Sequence, residues 1–186
     1  MRVVAGTYGG RTLTAPRGAS TRPTSDRVRE AVFSIIGSVE GLDVLDLFAG
    51  SGALGIEALS RGAASATFVD SSRAALAAIR ANTAMVDDAG CVRIVAADWQ
   101  VALRAERAAG RRYGLCLLDP PYSVLPRITG RLGPALASVL QADATLVVEH
   151  AAAAGPLEID DLLVIARTDR TYGGTGIAVM RIGTSG

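Results

Sequence analysis

Two stretches of the chain combine residue types and spacings that suit chemistry. The first is Asp46-Leu47-Phe48-Ala49-Gly50-Ser51-Gly52-Ala53-Leu54-Gly55, entered through the mainly apolar Leu42 to Leu45 and left through Ile56 to Leu59. That order reads as strand, tight glycine turn and helix N-terminus. Glycines let a backbone approach a ligand closely, and a helix start offers free N–H groups. Gly50, Gly52 and Gly55 spell G-x-G-x-x-G, a fingerprint that fits more than one nucleoside-bearing cofactor. Asp46 bears on the choice, because a carboxylate at the strand end repels a pyrophosphate and favours a cation. S-adenosylmethionine carries a sulfonium and an ammonium and no phosphate. The alternative is that Asp46 only caps the turn.

The second stretch is Leu117-Leu118-Asp119-Pro120-Pro121-Tyr122. Two prolines cannot continue a strand or a helix interior, so they fix a rigid loop at a strand end. A carboxylate and a proline carbonyl held beside a ring can accept hydrogen bonds from a planar exocyclic amine while Tyr122 stacks on its ring. As a bare tetrapeptide the motif is also an ordinary proline turn. Asp70 ends an apolar run twenty residues after Gly50, where a carboxylate accepts ribose hydroxyls; the alternative is a cap for the following helix. His150 is the single histidine of the chain and reads as structural or peripheral.

These residues need a scaffold, and the hydrophobic pattern supplies one. From Leu42 onward strands and helices alternate, with strands expected near 42–48, 66–70, 92–96, 114–119 and 144–149. Helices are expected near 53–61, 72–85, 99–108 and 126–140. Such alternation argues a parallel, doubly wound sheet. Leu162 to Thr168 and Thr175 to Ile182 read as a closing antiparallel pair. Upstream, residues 2–15 read as a β-hairpin around Tyr8-Gly9-Gly10, and 16–24 as a linker. Thr24 or Ser25 can cap a helix running to about Gly37, with Val28, Val32, Ile35 and Ile36 as its apolar stripe. The expected division is an N-terminal arm, 1–20, and a main domain, 21–186.

Composition narrows the class. The 186 residues, 49% of them hydrophobic, suffice for one buried core. No apolar run of membrane-spanning length and no signal peptide is read, and Cys91 and Cys116 with one histidine make no metal set. The expectation is a cytoplasmic protein without metal. Net charge is only +1, yet residues 1–29 hold six arginines against Asp26, a local balance of +5. All nineteen basic residues are arginine, so part of this reflects codon usage and a solvated surface. The alternative is phosphate contact by an arginine-bearing arm.

The Asp-Leu-Phe-Ala-Gly-Ser-Gly loop and the Asp-Pro-Pro-Tyr loop together resemble class I S-adenosylmethionine-dependent amino methyltransferases. With Thr21-Arg22-Pro23-Thr24-Ser25-Asp26-Arg27-Val28-Arg29-Glu30-Ala31-Val32-Phe33 the chain resembles the RsmD-type bacterial 16S ribosomal RNA guanine-N2 methyltransferases from Arg2 to Ile182. That resemblance implies a Rossmann-like α/β fold with a seven-stranded, mostly parallel sheet and an antiparallel final strand, plus the N-terminal hairpin. It implies methyl transfer from S-adenosylmethionine to N2 of a guanine, guanine 966 in the usual rRNA numbering, in the small ribosomal subunit or an assembly intermediate. Asp119, Pro120, Pro121 and Tyr122 would be catalytic. Asp46, Phe48, Gly50, Ser51, Gly52, Asp70, Ser71, Asp98 and Trp99 would hold the cofactor, with Asp98 accepting from the adenine amine and Trp99 covering the ring. Asp98 as a helix cap and Trp99 as core remain open. Arg11, Arg17, Arg22, Arg27 and Arg29 would meet RNA. A monomer is favoured. An adenine-N6 DNA methyltransferase and an NAD-dependent oxidoreductase are the rival readings; the second leaves Asp46 and the proline loop unexplained.

Overall fold

The computed structural model describes residues 1–16, 25–86 and 90–183. The chain runs α1 (Asp26–Ile36), β1 (Asp43–Leu47), α2 (Ala53–Ser60), β2 (Ser65–Asp70), α3 (Arg73–Thr83), β3 (Val92–Ala96), α4 (Trp99–Ala108), β4 (Tyr113–Leu118), α5 (Leu125–Ala137) and β5 (Leu140–Ala151). A single 3-10 turn, Ala152–Ala154, leads on to β6 (Val164–Tyr172) and β7 (Thr175–Ile182). The strands form one seven-stranded sheet in the order β3-β2-β1-β4-β5-β7-β6. The first five strands of that order are parallel. β7 lies antiparallel between β5 and β6.

The central strands are apolar almost throughout because helices cover both faces. On one face α1, α2 and α3 pack Phe33, Ile56 and Ile79 against Val44, Phe68, Leu115 and Leu117. On the other, α4 and α5 pack Leu103, Leu132 and Leu136 against Leu45, Leu47, Cys116 and Leu118. Alternation along β1 therefore puts Asp46 on the α2 face with Val44, opposite Leu45 and Leu47, with 1% of its surface exposed. None of the described helices is long and apolar enough to cross a membrane.

α1 begins where the cap was expected, with Ser25 Oγ accepting the Val28 N–H, and stops at Gly37, whose φ of 80° suits glycine. The N-terminal segment folds back on itself as expected, its two arms bonded across the Gly9-Gly10 turn, yet it forms one antiparallel bridge, Arg2 with Thr12, and no longer ladder. The physical reason is where its amides go. Val4 and Ala5 donate to the Glu57 carboxylate at 2.7 and 3.0 Å, and Tyr8 donates to Ser60 Oγ at 2.9 Å. Farther on, Thr14 N–H donates to Asn82 Oδ1, and Asn82 Nδ2 returns a bond to the Thr14 carbonyl. The backbone thus divides its bonds: Val3 N–H donates to the Arg11 carbonyl, Gly10 N–H to Val3 and Leu13 N–H to Met1 across the turn, while Val4, Ala5, Tyr8 and Thr14 donate to side chains of α2 and α3. The linker expected over 16–24 lies, from residue 17 on, outside the described residues.

Candidate active site

β1 ends at Leu47, and the backbone then enters the left-handed region three times, at Phe48 (φ 59°), Gly50 (58°) and Gly52 (77°). For Phe48 that conformation costs about 1–3 kcal/mol and persists only when the surroundings impose it. They do: Ala49 N–H donates to the Val69 carbonyl, Gly52 N–H to Ala49, and Gly50 N–H to Asp70 Oδ2. Gly52 opens α2 without a side-chain cap. Asp46 supplies that cap from below, its Oδ2 accepting Gly55 N–H at 2.9 Å. A Cβ on Gly55 would stand 2.4 Å from the Phe68 ring, so this glycine serves close helix-to-strand packing. Burial holds the Asp46 carboxyl well above the usual range; the Gly55 N–H opposes the shift, and the charges of Asp119 and Asp70 add to it.

Asp70, half-buried at the end of β2, accepts Gly50 N–H on one oxygen and Ser72 N–H, at 2.8 Å, on the other. Two of the roughly four lone-pair sites of a carboxylate are thereby used. Ser72 caps α3, while Ser71 is exposed beside it. Ser51 is buried, its hydroxyl against the Met1 sulfur and its carbonyl accepting from Asn82 Nδ2. Asp98 is exposed and caps α4 through Gln100 N–H. Trp99 is a correction to the expected ring cover: it is buried in the second core beside Ala102 and Leu103. At the first position of α4 it falls on the stripe that faces the sheet.

Asp119 follows β4 and is half-buried, its N–H 3.4 Å from the Leu47 carbonyl. That contact joins the proline loop to the end of β1. Pro120 is buried, and the Pro121 carbonyl accepts Val124 N–H as the chain turns into α5. Tyr122 is 43% exposed, yet its hydroxyl lies 3.1 Å from Thr175 Oγ1 and 3.4 Å from Glu149 Oε1. Burial, with Glu149 and Asp119 nearby, pushes the phenol above its usual range. Glu149 and Thr175 were not foreseen as part of this region. The available signal was a carboxylate near the end of an apolar strand, Glu149; Thr175, which pairs with Ala151 across β5 and β7, carried none. His150 is buried against Gly176, where a Cβ would meet its ring at 2.4 Å.

The strand order places these loops together. β1 connects outward to β2 and β3, while β4 connects the other way to β5, so the order reverses between β1 and β4. Ligand crevices of open α/β sheets form at such a point, outside the carboxyl ends of the strands. Asp46, the glycine loop and Asp119 all lie there. Among the described residues no cluster of His, Cys, Asp and Glu could hold a metal ion.

The arginines divide. Arg27 is exposed on α1. Arg11 is exposed over the Tyr8 ring and donates to the Met85 carbonyl. Arg29 is the correction: it is wholly buried, paired with Asp26 at 2.7 Å and Glu57 at 3.5 Å. A guanidinium with no exposed surface does not reach a phosphate in this arrangement. Arg17 and Arg22 lie outside the described residues.

The family model described as conserved hypothetical protein 95 matches residues 1–181. A candidate rRNA methyltransferase of Bacillus subtilis strain 168, YlbH, is 39% identical over 97% of this chain and 98% of its own length. Ribosomal RNA small subunit methyltransferase D of Escherichia coli K12 is 39% identical over 66% of this chain and 60% of that protein. Among solved structures, a candidate methyltransferase of Escherichia coli, yhhF, superposes with a TM-score of 0.79 at 30% identity, covering 100% of this chain and 99% of that one. A Thermus hypothetical protein follows at 0.77 and 30%, covering 96% and 98%.

Proposed function

The chain belongs to the conserved hypothetical protein 95 family, the RsmD-type methyltransferases its motifs resemble, and from that premise we propose that it methylates the exocyclic N2 of a guanine in 16S rRNA, with S-adenosylmethionine as donor. The observation that carries this reading is the meeting of the glycine loop and the Asp119-Pro120-Pro121-Tyr122 loop at the reversal of strand order. One loop suits a nucleoside cofactor and the other an exocyclic amine, and they share one crevice.

In this reading the cofactor lies across the ends of β1 and β2. Gly50 and Gly52 allow it close to the backbone, Asp70 takes the ribose hydroxyls, and Asp98 takes the adenine amine. Asp46 fixes the loop through Gly55 and lends negative potential beneath the sulfonium. The target guanine leaves its stack to enter. Asp119 and the Pro120 carbonyl accept from its amine, and the exposed Tyr122 ring stacks on the base. Catalysis is positioning and electrostatics: the nitrogen is aimed at the methyl carbon, the sulfonium charge vanishes, and the proton leaves once the nitrogen is cationic. Arg11 and Arg27 contribute to RNA contact. The substrate is the small subunit or an assembly intermediate of it, and the enzyme acts as a monomer.

The test is transfer of labelled methyl to 30S particles from a strain lacking the corresponding gene, with the modified nucleoside identified by mass. N2-methylguanosine is expected. Methyladenosine, or no incorporation, overturns the reading.

Two substitutions probe the cofactor end. Asp70→Ala is expected to weaken S-adenosylhomocysteine binding by roughly 1–3 kcal/mol, the range for hydrogen bonds to a charged group. Unchanged affinity by calorimetry would remove Asp70 from the site. Asp46→Asn keeps an acceptor for Gly55 and removes the charge. Because the folded carboxyl holds its proton above the ordinary carboxylate range, wild-type stability falls as pH rises from that range toward the raised value. The Asn variant is therefore expected to melt progressively higher than wild type over that rise, and to bind S-adenosylmethionine more weakly. A melting difference that does not change with pH counts against the buried-charge account.

A further inference from the structure

The faces of α4 and α5 that turn toward each other enclose a groove of about 460 Å³ that no step above uses. Its floor is apolar, with Trp99, Leu103 and Ala135, and its walls carry Arg104, Arg107 and Arg131. Among the described residues no acidic side chain lines it, and none of these three arginines forms an ion pair. The acid nearest in sequence, Glu106, is turned away and buried, held by Arg93, Arg111 and the Tyr113 hydroxyl. Asp160 sits against Gly130 and Gly133, on a different side of α5 from Arg131, Pro134 and Ser138.

Three like charges in one concavity repel one another, and a polyanion relieves that repulsion. Arginine suits phosphate particularly, since its planar fork binds two oxygens at once. The groove also reaches the right place. α4 starts immediately after Asp98, at the carboxyl edge of the parallel strands, and Trp99 and Gln100 of its first turn line one end of the groove. α5 contributes from Arg131 onward, farther from that edge, so the groove runs outward from the α4 start beside the mouth of the proposed active site. An RNA strand whose base is extruded into that mouth must continue over neighbouring protein surface.

We infer that the α4–α5 groove is the track for the sugar-phosphate backbone flanking the target guanine, with Arg104, Arg107 and Arg131 as its phosphate contacts. This rests on the rRNA substrate proposed above. It moves the main RNA footprint away from the N-terminal arm, where Arg29 is buried and Arg11 is bound to Met85. It also accounts for a small net charge in an RNA enzyme: the positive potential is gathered in one groove.

The test is a triple variant, Arg104→Ala, Arg107→Ala and Arg131→Ala, with the matching triple Arg→Lys variant as rescue. Binding to a 16S rRNA transcript is measured across salt concentrations. Each lost phosphate contact flattens the log–log salt slope by about 0.7 for a single strand, so the alanine variant is expected to lose about 2. Its KM for 30S particles should rise roughly tenfold or more with kcat little changed, as for loss of uniform binding. Melting temperature and S-adenosylhomocysteine affinity should match wild type, and the lysine variant should recover most of the slope. An unchanged salt slope in a folded alanine variant overturns the groove. So does a variant that fails on particles yet binds the transcript like wild type, since that assigns the groove to a protein of the particle. The transcript measurement stands apart from turnover. Wild type that binds the transcript but methylates no guanine refutes the proposed reaction and leaves the groove to be judged by its slope.

Discussion

Asp119→Ala is expected to lower methyl transfer to 30S particles by on the order of a hundredfold or more, the scale for removing one preorganised electrostatic partner, while S-adenosylhomocysteine binds as to wild type. Asp119 leaves β4 beside the end of β1, tied there through its N–H and the Leu47 carbonyl, with Pro120 and Pro121 holding the next turn of the loop rigid. In the proposed reaction its carboxylate aims the amine and meets positive charge that grows on the nitrogen. That interaction is stronger in the transition state than with bound substrate, so its loss falls on kcat. Asp119→Asn separates the two contributions. The amide keeps an acceptor oxygen and lacks the charge, so activity between Ala and wild type shows that charge adds to aiming. Full activity in Asn leaves aiming alone, and full activity in Ala removes Asp119 from the reaction.

The second large effect is on stability. Glu57 has no exposed surface and accepts from Val4, Ala5 and Arg61, with Arg29 at 3.5 Å. Glu57→Ala takes one of its two carboxylates from the wholly buried Arg29 cation, which keeps Asp26 and the Arg2 carbonyl, and it frees the arm. Breaking a buried ion pair from one side costs about 3–5 kcal/mol, which for a chain of this size lowers the melting temperature by roughly 10 °C. Trypsin should then cut after Arg11 in conditions that spare wild type. Glu57→Gln, which keeps the shape and one acceptor, should fall between. A melting shift of a degree or two in the Ala variant would show that the cluster is not the hinge of the fold's N-terminal half.

The contrast between Asp119 and Glu57 shows what the sequence makes legible. Asp119 sits in a local motif: apolar strand, acid, two prolines, ring. Local chemistry there dictates local shape, and the strand ended within a residue of expectation, at Leu118. The same holds for Ser25 capping α1 and for the glycine loop. Glu57 has no such motif. Its partners come from residues 4, 5, 29 and 61, and the i,i+4 rule of helices joins it to Arg61 alone. One clue was present: Arg29 lies between Val28, Val32 and Phe33 on the stripe of α1 that faces the core, and a charged residue on such a stripe needs a buried partner. The arm was legible in part for a related reason. Gly9-Gly10 correctly marks a turn with bonds across it, but that the Val4 and Ala5 amides go to a carboxylate on α2 is decided by tertiary contact. Asp98 and Trp99 are adjacent in sequence and placed oppositely, one exposed as a cap and one buried, because a single step along a helix rotates a side chain by about 100°.

The position of β7 bears on how the molecule is made. Translation delivers residues 140–151 and then 164–172 before it delivers 175–182, the strand that lies between them and packs against α1. Until those last residues emerge, β5 presents a bare edge and β6 has nothing to pair with. Assembly at this side of the sheet is therefore inverted relative to synthesis: β2 to β5 each meet a strand already made, and β6 does not. A ribosome stalled before residue 175 would hold a polypeptide with an open apolar edge, a client for chaperones or proteases and not a partly working enzyme.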